Sequence, residues 1–249
     1  MLKVVNKKDA AEIYITGDII DDADGAFLQS WDAGDGYQWP AEIKAQLDSV
    51  KGKPLTIYIN SNGGSVPAGV AMANMIQRHD APTKAVIDGW CCSIATQIFF
   101  AADSRAMPSN AYLMIHKPAT IAAGNSDDLL QAAEFLDVIQ KGIETTYQKA
   151  ARPELDAGKI HAMVEHETWL TGAEAAALFD IELLDAVPVL NCAEGKTKLK
   201  NTPNNVVING GTPPNDETAK AENEAAEAAK TQAARVKIAL ALMKGEMIR

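Results

Sequence analysis

Between residues 12 and 190, short runs rich in β-branched residues alternate with stretches whose apolar residues recur at helical spacing. A chain that alternates in this way forms βαβ units and a largely parallel sheet. The clearest unit starts at LTIYIN (55–60). There Ser61-Asn62-Gly63-Gly64-Ser65 leads into a helical stretch, VPAGVAMANMIQRH, which Ala81-Pro82 breaks. The next strand is KAVID (84–88), and Gly89 reads as a sharp turn into WCCSIATQIFFAAD, a helix so apolar that it must be buried. Upstream, 12–16 is a strand, 21–40 a loop with room for a short helix, and 41–50 a helix. Downstream, 104–117 reads as turn and strand. Ser126-Asp127-Asp128 caps a long helix to about residue 151, with Leu129, Leu136 and Ile143 on one face. A short helix covers 154–165, Thr171 and Glu174 have capping-box spacing, and LLDAVPVL is strand-like. The fold class expected is α/β.

Charge divides the 249 residues unevenly. Residues 1–193 carry 14 Lys and Arg against 26 Asp and Glu, whereas 194–249 carry 9 against 7. Residues 191–215 are rich in Asn, Gly, Thr and Pro and read as a linker. From residue 216 to 249 the chain is rich in Ala, Glu and Lys and reads as a helical tail, either solvated or binding a partner. A folded domain over 1–190 is therefore expected. The net charge of −10 argues against a nucleic-acid partner, which needs a basic surface. Cys91, Cys92 and Cys192 fit no metal or disulfide spacing and read as buried thiols in a reducing compartment. No apolar run reaches the roughly 18–20 residues of a membrane span, and no secretory leader is apparent, so no membrane partner and a cytoplasmic location are expected.

Ser93 interrupts the apolar run GWCCSIATQIFF just past a strand, at the start of the helix expected there. A strand–turn–helix junction suits a nucleophile, although a serine in such a place also serves as a cap, and the G-x-S-x-G elbow is missing. His116 ends the strand segment YLMIH and is the best-placed general base, although a histidine there can equally be a core residue. His79, His161 and His166 lie in helical or helix-ending contexts. Gly63-Gly64 can simply make a tight turn. Alternatively, a backbone N–H of that turn and the N–H after Ser93 can bind an oxyanion. Glu165 and Glu167 are the near candidates for an acid that orients His116.

Four blocks, YINSNGGSV, GWCCSIATQI, NAYLMIHKP and ETWLTGAEAAALFDIELLD, resemble in order and spacing the signature blocks of the Clp proteolytic subunit family, ClpP. The resemblance covers about residues 12–190 and is strongest to the phage-encoded ClpP-like head maturation (prohead) proteases. It implies the ClpP/crotonase fold and a serine endopeptidase with Ser93 as nucleophile and His116 as base. Gly64 and Ile94 would supply oxyanion N–H groups, and Glu167 stands where the family has an aspartate. The Cys91-Cys92 pair stands where small residues are usual. No metal or cofactor is implied. The resemblance further implies a ring-forming homo-oligomer whose long helix at 126–151 packs ring against ring. The substrates would be capsid or scaffold proteins, met in the host cytoplasm or the immature capsid, with the protease's own tail as a further target. An N-terminal segment of the kind that engages an unfoldase ring has no clear counterpart, so an ATPase partner is not expected. The alternatives are a bacterial ClpP paralogue that works with an ATPase unfoldase, a crotonase-type acyl-CoA enzyme, and a non-catalytic scaffold.

Overall fold

The computed structural model describes residues 4–186, Asp32 excepted. The expected linker, the expected tail and Cys192 lie outside the described residues. Among the described residues, alternation of strands and helices is realised as a nine-stranded, mostly parallel sheet. Strands β1 (Val4–Asn6) and β2 (Ala11–Ile19) form an antiparallel edge pair. After α1 (Asp22–Ser30), β3 (Tyr37–Gln38) adds a short parallel pairing to the end of β2. Helix α2 (Pro40–Ser49) leads to β4 (Leu55–Gly64), and α3 (Val66–Gln77) leads to β5 (Thr83–Cys92). The short α4 (Ala95–Phe100) precedes β6 (Ser104–Pro108) and β7 (Tyr112–Ile115). Then follow α5 (Ser126–Ala150), α6 (Ala157–Glu165), β8 (Thr168–Thr171), α7 (Gly172–Leu178) and β9 (Glu182–Leu184).

Period-two patterning sets which face is buried. Ile13 and Ile15 of β2, Leu55, Ile57 and Ile59 of β4, and Ala85 and Ile87 of β5 are all buried. They share one core with Ile43 of α2, Met72 and Ile76 of α3, Phe99 of α4, and Ile143 and Tyr147 of α5. The alternate positions are half-buried, and there Tyr14 and Tyr58 stack with ring centres 5.1 Å apart.

The sheet forks at β5. Lys84–Val86 pair with β6, whereas Trp90–Cys92 pair with β7. Between these halves the β4–β5 register slips, from Ile59 opposite Ile87 to Ser61 opposite Cys91. The extra residues of β5 form a bulge, which the Asn60 side chain closes by accepting a 3.0 Å hydrogen bond from the Trp90 amide. Gly89 lies in this bulge, where a Cβ would come within 2.9 Å of Asn60 Oδ1. The turn expected at Gly89 is therefore a bulge inside a longer strand. The helix expected from residue 90 is reduced to the six residues of α4, because Trp90, Cys91 and Cys92 extend β5.

Helix α5 differs from its amphipathic reading. Its cap is Asn125, in a capping box with Asp128, one residue ahead of the expected start. Gln140, Ile143, Glu144, Tyr147 and Ala150 in its second half are buried. Leu129, Leu130, Phe135 and Val138 in its first half are exposed. The box between Thr171 and Glu174 forms as its spacing predicts, starting α7.

Candidate active site

The site lies where β5 and β7 end side by side. Cys92 pairs with Met114, so Ser93 and His116 leave the sheet together at the carboxyl ends of two parallel neighbours. In open α/β sheets such strand ends flank the crevices in which ligands bind. Ser93 occupies the left-handed region, with φ 56°. This conformation is uncommon for a residue with a Cβ and stands only where the surroundings fix it. Here the Ser93 amide donates to the Met114 carbonyl at 2.9 Å. The Ser93 carbonyl accepts from the Thr96 amide at 3.0 Å and from Thr96 Oγ1 at 2.6 Å. Thr96 Oγ1 also meets the buried Tyr147 hydroxyl at 2.7 Å. Ser93 is thus an elbow between strand and helix that precedes the first turn of α4.

Gly63 makes this elbow possible. Its φ is +93°, and a Cβ on it would fall 2.7 Å from Ser93 Cβ, 2.8 Å from the Cys92 carbonyl oxygen and 3.1 Å from the Ile94 nitrogen. The bare backbone of β4 therefore passes directly beneath the serine. The Gly63 amide is occupied by Ser61 Oγ at 3.1 Å. Ile19 lies opposite Gly64, and the Ser65 amide donates to the Ile19 carbonyl at 2.8 Å. The backbone at Gly64 is irregular, with φ +144°, and a Cβ there would collide with the Ile19 carbonyl, so only glycine fits. Among the described residues the Ile94 amide donates to no backbone carbonyl.

His116 brings Nε2 to 2.8 Å from Ser93 Oγ. Burial lowers its pKa from the ordinary 6.5, and the nearby Glu167 charge works the other way. A neutral imidazole is the form that can accept a proton. β7 and β8 run antiparallel with Ile115 opposite Thr168, and the same register places Glu167 beside His116. Glu167 follows α6 with φ 48°, in the left-handed stop that glycine usually fills. Its Oε2 stands 3.9 Å from His116 Nδ1, close enough for charge to act but too far for a hydrogen bond. The two side chains are 27% and 19% exposed, so the pair is only partly screened by water.

The other candidates are drawn elsewhere. Glu165 pairs with Lys117 at 2.8 Å and accepts from Gln140 at 3.1 Å; both hold its carboxyl below the usual range. His79 bonds the Lys53 carbonyl, His161 bonds Glu144, and His166 closes the end of α6. Cys91 and Cys92 are fully buried, and burial pushes both thiols up. Among the described residues no group of His, Cys, Asp and Glu could hold a metal ion. Among the same residues no helix is long and apolar enough to cross a membrane. Sequence reasoning missed Asn60 and Thr96, which hold the bulge and the elbow. For Thr96 the signal was polarity inside an otherwise apolar helical run; Asn60 falls on the alternate face of its strand, and period two gives no sign of it.

Comparison with known proteins bears on the whole arrangement. The Clp protease family model matches residues 39–183, which include Gly63, Ser93, His116 and Glu167. The ATP-dependent Clp protease proteolytic subunit of Bacteroides thetaiotaomicron is 30% identical over 132 residues, covering 52% of this chain and 59% of its own length. Proteolytic subunit 1 of Chlamydia abortus is 29% identical over 166 residues, covering 61% and 83%. The chain thus spans about three fifths of the length of the Bacteroides relatives it matches. A ClpP1 mutant from Listeria monocytogenes shares the fold, with a TM-score of 0.56 at 24% identity, over 70% of this chain and 91% of that one.

Proposed function

This chain belongs to the Clp protease family, and we propose that it is a serine endopeptidase acting through Ser93 and His116. The observation that carries the proposal is the 2.8 Å contact from Ser93 Oγ to His116 Nε2, made by a serine held at positive φ. His116 takes the Ser93 proton at Nε2 as Oγ attacks the scissile carbonyl carbon. The amides of Gly64 and Ile94 stabilise the oxyanion. His116 then gives its proton to the leaving amine, leaving an acyl-enzyme. Water, deprotonated by the same imidazole, attacks the ester, and the proton returns to Ser93. Glu167 stabilises the imidazolium by charge across the 3.9 Å gap. No step calls for a metal or cofactor. A fluorophosphonate probe should label the native chain and leave Ser93→Ala untouched; equal labelling of both would remove Ser93 from the chemistry.

The biological role proposed is that of a prohead protease that processes capsid or scaffold proteins. Support comes from the resemblance of the sequence blocks to that branch, and from the acidic 1–193 segment joined to a chain of different charge. Co-expression with capsid protein tests it: processing by the native chain and none by Ser93→Ala is expected. Identical processing by both would overturn it. The second reading, proteolysis in partnership with an ATPase, is favoured by the relatives, which are named as ATP-dependent proteolytic subunits. Stable capture of a Clp ATPase by the chain would decide for it. A ring-forming homo-oligomer belongs to either reading, and the exposed Leu129, Leu130, Phe135 and Val138 of α5 offer an apolar face for it.

A further inference from the structure

Among the described residues, two buried polar atoms beside the site have no hydrogen-bond partner: Oε1 of Glu167 and Nε1 of Trp169. The first only accepts when ionised, and the second only donates. Buried polar groups are nearly always paired, so two complementary orphans two residues apart call for an explanation. Trp169 pairs with Met114 on β7, and the register continues to set Glu167 beside His116. Period-two alternation gives Met114, His116 and Trp169 one face, and Trp90 and Cys92 of β5 join it through Tyr112 and Met114. The edge of one indole against the other, at 5.2 Å and 83°, fixes Trp169 on Trp90.

We propose that Trp169 is a positioning residue for Glu167. The indole Nε1–H, unpaired in this structure, donates to Oε1 as Glu167 closes on His116 during turnover, and holds the carboxylate so that Oε2 accepts from His116 Nδ1. This rests on the reading of Ser93 and His116 as nucleophile and base. Glutamate has one more rotatable bond than aspartate, so a carboxylate anchored at one oxygen keeps the other aimed where an unanchored one would swing. Closing the gap from 3.9 Å to a charge-assisted hydrogen bond of about 2.8 Å needs a movement of about 1 Å.

Trp169→Phe keeps a ring against Trp90 and removes only the N–H. Fluorophosphonate labelling rates across pH, in native and Glu167→Ala backgrounds, test the assignment. Trp169→Phe should label about tenfold more slowly, the loss of one hydrogen bond to a charged group. It should shift the acid limb of the pH profile and add nothing to Glu167→Ala. In the fluorophosphonate-labelled protein, the ¹⁵N-indole resonance that disappears in Trp169→Phe should move upfield in Glu167→Ala. Labelling at the native rate, or an effect that simply adds to Glu167→Ala, overturns the proposal while Ser93→Ala stays unlabelled. Labelling of Ser93→Ala would instead overturn the underlying dyad. If Trp169→Phe does not fold, the labelled native protein and labelled Glu167→Ala decide: an indole resonance unmoved between them overturns the proposal.

Discussion

Gly63→Ala is the substitution whose consequence can be worked furthest from the geometry. The new Cβ would lie 2.7 Å from Ser93 Cβ and 2.8 Å from the Cys92 carbonyl oxygen. Unstrained carbon–carbon contact is about 3.5–4.0 Å, so Ser93 or β4 must retreat by about 1 Å. Neither has an easy path. The elbow is pinned by Met114 and Thr96 on one side, and the Gly63 amide by Ser61 on the other. A displacement of about 1 Å at a nucleophile costs about a hundredfold in rate. The φ of +93° adds about 1–2 kcal/mol of backbone strain for any residue with a Cβ.

Gly52→Ala is the matched control. Gly52 has φ +75°, with nothing within 4 Å of its would-be Cβ. It should lose a similar 1–2 kcal/mol, a few degrees in Tm for a domain of this size, and keep its activity. The assay is the second-order rate of fluorophosphonate labelling, set beside Tm for both variants. Gly63→Ala is expected to fall about a hundredfold in labelling, and Gly52→Ala to label at the native rate. Native-rate labelling by Gly63→Ala would show that the elbow does not depend on the close passage of β4, and the account of the site would fail with it.

The labelling rate should fall on acidification with a midpoint below 6.5, since burial lowers the His116 pKa. Glu167→Gln removes the charge that opposes this shift and should move the midpoint lower still; an upward move would refute the electrostatic role of Glu167. The same linkage bears on stability: a depressed histidine pKa contributes stability above the unfolded pKa that is lost as pH falls through the folded one. His116→Gln should therefore flatten the acid side of the stability profile below pH 6.5, as read by chemical denaturation. Thr96→Val leaves the buried Tyr147 hydroxyl and the Ser93 carbonyl each short of a bond, and should destabilise by about 1–3 kcal/mol in the same measurement. Phe135→Ser with Val138→Ser, both exposed on α5, should leave secondary structure intact and lower the mass seen by light scattering. An unchanged mass would remove this face from assembly.

Strand and helix identity was legible in the sequence where burial has one clear period. LTIYIN alternates, and Leu55, Ile57 and Ile59 are the ones buried in the core with the helices. It was illegible where a strand is buried on both faces. Trp90, Cys91 and Cys92 form an unbroken apolar run, and periodicity does not separate that from a buried helix. Gly89 compounded the error, because a glycine in a bulge and a glycine in a turn leave the same mark. Helix α5 failed in the opposite sense. Its apolar stripe is real, but the core reaches only from Gln140 onward, and a sequence carries no sign of where the rest of the domain stops.

Ser93 and His116 were legible as a pair through the resemblance of their sequence blocks, and not from their own positions, because 23 residues and a fork in the sheet separate them. What joins them is register. Cys92 opposite Met114 sets the two residues at neighbouring strand ends, and Ile115 opposite Thr168 then carries Glu167 to the imidazole. Register depends on the bulge that Asn60 closes, for without the slip after Ile59 the pairing of β4 with β5 would set Gly89, and not Cys91, opposite Ser61, and would bring Cys91 rather than Ser93 level with Gly63. A site of this kind is specified less by the residues that would do the chemistry than by the irregularities that aim them. Glu167 makes the same point: a glutamate in a left-handed stop after α6, where glycine costs nothing, is strain that a purely structural turn has no reason to keep.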